Sequence, residues 1–129
     1  MAQLRPRISE IRARGAELYA IGNGTAAHVA WFVEDMAPID YPVWTDPTLV
    51  VYRAAGLKHG LLRTIGPKPT TNYARGLLRG FANKGGLMGD GQQQGGAMIV
   101  RADGTVPFVH VAEVLGEHVD ASAMIAAIT

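Results

Sequence analysis

"ELYAIGNGTAAHVAWF", residues 17–32, is the stretch on which the fold turns. Leu18, Tyr19, Ala20 and Ile21 form an apolar run that stops at Gly22-Asn23-Gly24, and a helical pattern follows at once. Strand, tight turn and helix in that order make one half of an α/β unit. Taken literally, Gly22 to Ala27 also reads G-x-G-x-x-A with Asp46 about 20 residues further on, the layout of a dinucleotide-binding turn. Glycines that merely permit a tight turn leave the same letters. The surroundings favour the plain turn. The helix opens on polar Thr25, the next extended piece is broken by Pro42, and strand–helix units do not repeat afterwards.

Working outward, Leu4, Ile8 and Ile11 recur at helical spacing with arginines elsewhere on the wheel, and Gly15 closes that helix. Thr25 is an N-cap for a helix over about 26–36 that buries Val29, Phe32 and Val33. "YPVWTD", residues 41–46, is a short extended piece. Asp46-Pro47 starts a helix that runs to about Ala55, with Gly56 as its left-handed stop. A further helix is expected over about 72–84, with Tyr73, Leu77, Leu78 and Phe81 on its apolar face. "KGGLMGDGQQQGG" is loop-like and flexible by composition.

"AMIVRADGTVPFVHV", residues 97–111, reads as two strands around Asp103-Gly104. Pro107 cannot donate to a ladder, which puts the second strand at a sheet edge. Asp120 caps a last helix through Ile128. The order α-β-α-(β)-α-α-β-β-α predicts one α/β domain over residues 1–129 with an antiparallel C-terminal hairpin.

Composition narrows the chemistry. With 129 residues, 48% apolar and 18% charged, the chain can bury one core. A formal charge of +1 gives no general attraction to nucleic acid or membrane. No apolar run approaches the ~18 residues of a membrane span, and a cytoplasmic location is expected. Four arginines and one acid in the first fifteen residues hint at a transit peptide. Pro6, Glu10 and the scarcity of serine favour a surface helix instead.

There are no cysteines, hence no disulfide, no thiolate nucleophile and no Cys-bound metal in this chain. Ser9 and Ser122 lack a G-x-S-x-G setting. His28, His59, His110 and His118 lack metal-ligand spacing, and His110 alternates with Phe108 as a sheet residue does. Asp40 and Asp46 are explained by loop solvation and capping. No catalytic residue, metal site or cofactor is called for. Residues 47–89 carry seven Lys or Arg, among them Lys58, Arg63, Arg75 and Arg79, and no acid. This basic patch could take an anionic ligand or an acidic partner, or be an ordinary solvated face.

Three segments together, "LRPRISEIRARGAELYAIGNGT" (4–25), "YPVWTDPTLVVYRAAGLKHG" (41–60) and "QQGGAMIVRADGTVPFVHVAE" (93–113), carry a family likeness. The chain resembles the peroxiredoxin-like branch (alkyl hydroperoxide reductase/thiol-specific antioxidant) of the thioredoxin-like superfamily, over about residues 3–128. The resemblance implies a three-layer α/β/α sandwich, with a cysteine at the start of the first long helix that attacks peroxide or disulfide. Such helices carry a proline kink, and matching it to Pro6 puts the nearer cysteine position at about Met1. The family's central strand, between those of "ELYAIG" and "AMIVR", would then precede the chain, leaving it N-terminally truncated.

Losing that strand would leave unpaired backbone groups at ~1–3 kcal/mol each when buried, against a domain stability of roughly 5–15 kcal/mol. Three resolutions are open. The flanking strands could pair directly, a partner chain or homo-oligomer could complete the sheet, or the natural product could begin upstream. A chain beginning at Met1 is accordingly expected to be weakly stable or oligomeric, and a full-length form would use a redox partner protein. Any surviving ligand site would lie where Asn23, Thr45 and Gln94 converge beside the gap.

Overall fold

Leu4, Ile8 and Ile11 do what their spacing demands: all three are buried in the core. Arg5–Arg7 form a 3-10 turn that runs into helix α1, Ile8–Ala13. Pro6 stands at the start of that turn, where its missing amide hydrogen costs no intrahelical bond, so no longer helix is kinked. Gly15 ends the segment with φ +78°. The computed structural model describes residues 3–60, 90, 92–114 and 116–128. The expected helix over 72–84 and the glycine-rich run up to residue 89 lie outside these.

Strand β1, Ala20–Gly22, pairs in parallel with β2, Val43–Thr45, with Ala20 opposite Val43 and Gly22 opposite Thr45. Helix α2, Ala26–Asp35, connects them and begins as expected at Thr25. Thr25 Oγ1 accepts the His28 amide at 3.4 Å, and His28 Nδ1 accepts the Thr25 amide at 3.1 Å. Two of the free first-turn donors are thereby satisfied. The burial expected for α2 is corrected: Val29 and Phe32 are only half-buried and Val33 is exposed. α2 contacts β2, whereas the core is built by other elements.

The helix after Asp46 also differs from expectation. Leu49 N–H donates to the Asp46 carbonyl at 3.1 Å, so Pro47 lies in a turn, and α3 spans Val50–Ala54. Leu49 precedes it in the left-handed region, φ 60°. Gly56, φ +70°, stops it as predicted.

The hairpin forms where the sequence placed it. β3, Gly96–Ile99, runs antiparallel to β4, Phe108–Val111, with Ala97 opposite His110 and Ile99 opposite Phe108. The Asp103 carboxylate accepts the Thr105 amide at 2.9 Å and its hydroxyl at 2.7 Å, and Gly104 takes φ +84°. Asp120 Oδ1 caps helix α4, Ala121–Ala126, through the amides of Ser122 and Ala123. α4 stops short of the expected Ile128.

One core holds these pieces together: Leu4, Ile8 and Ile11, Leu18 ahead of β1, Tyr41 ahead of β2, and Ala121 and Ile125 of α4. α1 and α4 thus cover one face of β1–β2. The other face carries Tyr19 and Trp44, whose rings stand 5.0 Å apart, and Ile21, two residues after Tyr19 and opposite Trp44, as period two requires. The architecture is the expected α/β, thioredoxin-like arrangement with its C-terminal hairpin. Its sheet is present as two halves, β1–β2 and β3–β4. The first of the three resolutions, direct pairing of β1 with β3, does not occur. A cavity of about 1130 Å³ lies between them instead.

Gly96 anchors the hairpin. A Cβ there would meet the Leu57 side chain and stand 2.6 Å from the His110 carbonyl oxygen on the paired strand. Gly96→Ala is therefore expected to destabilise the chain by ~1–3 kcal/mol through overpacking, read as a lower urea midpoint at unchanged slope. An unchanged midpoint would show that this contact relaxes freely.

Candidate functional site

The turn Gly22–Gly24 leads to a corner rich in polar side chains: Asn23, Thr45, His59, Asp90, Gln93 and Gln94. Neither Gly22 nor Gly24 has a positive φ, so conformational freedom is not why glycine stands at either position. Gly22 has room for a side chain, with only the Trp44 carbonyl at 3.9 Å. At Gly24 a Cβ would lie 2.9 Å from His28 Cβ. Gly24 is thus required by the close return of His28 onto the helix start. That return occupies the Thr25 amide, one of the groups a pyrophosphate would need. Asp46, the counterpart of a ribose-binding acid, is 7% exposed and committed to α3. Its carboxylate accepts from the amides of Val50 (3.0 Å), Val51 (2.7 Å) and Tyr52 (3.2 Å). Both elements of the dinucleotide pattern have structural duties.

Asn23, Thr45 and Gln94 were expected to converge, and their partners can be traced. Asn23 Nδ2 donates to the Asp90 carbonyl at 2.9 Å. Gln94, 1% exposed, donates its side-chain amide to the Gln92 carbonyl at 3.1 Å and its backbone amide to that of Lys58 at 2.8 Å. Both residues therefore engage the short segment around 90–94. The Thr45 hydroxyl donates to the Gly24 carbonyl, tying the end of β2 to the turn. Gln93 adds bonds from its side-chain amide to the carbonyls of Lys58 (3.0 Å) and Gln94 (2.9 Å).

The same corner holds a pair that the sequence did not reveal. His59 Nε2 lies 2.8 Å from Asp90 Oδ2, with the side chains 48% and 38% exposed. His59 is also bridged to Gln93. The hydrogen bond from His59, together with the Gln92 amide, holds the Asp90 carboxyl below its ordinary range. A carboxylate–imidazole pair of this kind can orient a ring and pass a proton. The chain has no cysteine for it to serve, and the Thr45 hydroxyl is engaged with Gly24.

Only part of the basic patch falls among the described residues. Lys58 Nζ is ion-paired with Glu113; Arg63, Arg75 and Arg79 lie outside the described residues. Among the described residues no group of three or more His, Asp or Glu could hold a metal ion. No helix among them is long and apolar enough to cross a membrane.

With the fold and this corner in place, comparison with known proteins is direct. Residues 3–114 match the family model of the AhpC/TSA antioxidant enzymes. The chain belongs to that family. No curated protein and no solved structure matches it significantly.

Acid should act on the carboxylates that the structure has lowered. For Asp46, burial pushes the carboxyl up, but the three amides of α3 and the Thr48 hydroxyl outweigh it and bring it below its ordinary value. Asp90 is lowered by His59 and Gln92, and Asp103 by the hydroxyl and amide of Thr105. A lowered folded pKa contributes stability that is complete above the unfolded value and lost as pH falls through the folded one. Thermal midpoints should therefore be level above about pH 5 and fall steadily below about pH 4. Asp46→Asn, which offers one acceptor oxygen instead of two, should start lower at neutral pH and lose less on acidification. Parallel pH profiles for the two proteins would contradict the capping role.

Proposed function

We propose that this member of the AhpC/TSA antioxidant family is redox-inactive as a 129-residue chain and acts through binding. The observation that carries this reading is the complete absence of cysteine. The chemistry that the resemblance implies, reduction of peroxide or disulfide, runs through a thiolate nucleophile. Among the described residues no other side chain is arranged to replace it. Ser122 sits at the start of α4, where its hydroxyl accepts from Arg7 at 2.9 Å, and no base adjoins it. The His59–Asp90 pair can position or accept a proton, and the chain has no thiol for it to activate.

What this chain offers is the surrounding scaffold: a rigid turn at Asn23, Thr45 tied to Gly24, and Gln93–Gln94 laid against Lys58. A thiol brought from another segment or polypeptide to the corner of Asn23, Thr45 and Gln94 would complete the family's chemistry there, with His59–Asp90 as the adjoining proton-handling pair. A redox partner protein and a cytoplasmic location belong to the same reading, and a chain without disulfides fits a reducing compartment.

Peroxide consumption tests the proposal. Purified chain, dithiothreitol and hydrogen peroxide, with azide present to silence contaminating catalase, should consume peroxide no faster than dithiothreitol alone. Saturable peroxide loss proportional to chain concentration would overturn it.

A further inference from the structure

His28 and His59 stand on either side of the turn that follows β1. At the start of α2, His28 Nδ1 accepts the Thr25 amide at 3.1 Å. The preceding residue, Gly24, accepts the Thr45 hydroxyl through its carbonyl. Asn23 then reaches across to the Asp90 carbonyl at 2.9 Å, and the Asp90 carboxylate meets His59 Nε2 at 2.8 Å. His59 belongs to a closed pair of short segments. The Gly60 amide donates to the Gln92 carbonyl at 3.0 Å, the Gln94 amide donates to the Lys58 carbonyl at 2.8 Å, and His59 stands opposite Gln93.

The two rings have opposite requirements for a proton. A backbone amide can only donate, so His28 holds Thr25 only through an unprotonated Nδ1. Imidazolium carries donors at both nitrogens, and here it would place a positive charge at the positive end of the α2 dipole. The first turn of α2 contains no acid to offset that charge. Asp46, just after the strand on which α2 packs, is spent on the amides of Val50, Val51 and Tyr52. His59 is the reverse case. A carboxylate can only accept, so Nε2 donates to Asp90, and protonation of the other ring nitrogen keeps this bond and makes it charge-assisted. Asp90 stays ionised throughout, since its carboxyl is held below the ordinary range. The adjacent cation, Lys58, is paired with Glu113.

We infer that this corner is a pH-responsive fastening worked by two opposed histidines. Acidification through the histidine range, from about pH 8 to about pH 5.5, releases the Thr25 amide at the start of α2. Over the same range it tightens the closure of residues 58–60 on 90–94. The turn with Asn23 is tied to both sides, so acid shifts its anchorage from the helix towards Asp90. Because the two effects oppose each other, they leave the thermal midpoint level in this range while local order changes on each side. The inference rests on donor and acceptor chemistry and does not depend on the redox reading above.

Amide hydrogen exchange tests it, read by NMR on the 129-residue chain at both pH values and divided by the intrinsic rate at each. Protection of Thr25 should fall on acidification, and protection of Gly60 and Gln94 should rise, each by roughly two- to five-fold. The Ala20 amide, bonded to the Pro42 carbonyl, is the control and should not change. His28→Gln keeps a capping-box acceptor that does not titrate. It should abolish the response of Thr25 and leave that of Gly60 and Gln94. His59→Gln should do the converse. His28→Glu and Asp90→Asn make the same two tests independently, should either glutamine variant prove unfolded by circular dichroism. Changes of the same sign at Thr25 and Gly60, no change at either, or a response that survives its matching substitution would overturn the inference.

Discussion

A strand with one neighbour satisfies only every second residue's backbone groups, and this constraint shapes the whole molecule. β1 has β2 on one side, β3 has β4 on one side, and each turns its remaining groups toward the cavity between them. Stability is gathered elsewhere. α1 and α4 bring Ile8, Ile11, Ala121 and Ile125 over Leu18 and Tyr41, and Asp46, Asp103 and Asp120 satisfy local amides at the turns and helix starts. The core therefore lies against one face of β1–β2 and does not require the two half-sheets to meet. The Tyr52 hydroxyl donates to one of the outward-facing acceptors, the Ile21 carbonyl.

The polar corner follows from the same layout. The ends of β1 and β2 and the approach to β3 are held together by side chains that bond to main chain: Asn23 to Asp90, Thr45 to Gly24, and Gln93 to Lys58. These bonds fix the positions of the residues that make them. The chain has no cysteine, and the corner includes a glycine at position 24 that no larger residue could replace without displacing His28. Fold and reactivity have different supports, since a reactive atom belongs to one side chain, whereas the frame is main-chain hydrogen bonding spread over many residues.

Much of this was legible in the sequence where the cause is local. Leu4, Ile8 and Ile11 announce a buried helix face, Thr25 and Asp120 announce helix starts, and Asp103-Gly104 announces the hairpin turn, since each acts on residues within a few positions of itself. Asp46 was legible as a cap, but its reach was misjudged. It serves amides four to six residues ahead because Leu49 enters the left-handed region, which no rule for a leucine would suggest. His59 and Asp90 are 31 positions apart, so their pairing leaves no spacing signal. The limited burial of Val29, Phe32 and Val33 is likewise non-local: an amphipathic pattern states which face is apolar, not whether anything covers it.

The central claim is that β1 and β3 keep their facing edges unpaired across the cavity. Amide hydrogen exchange, followed residue by residue in a monomeric sample, tests it most directly. The account predicts slow exchange at Ala20, Gly22, Ala97 and Ile99, and fast exchange at Tyr19, Ile21, Gly96, Met98 and Val100. Equal protection of both sets would mean that the half-sheets are closed into one, and would contradict it.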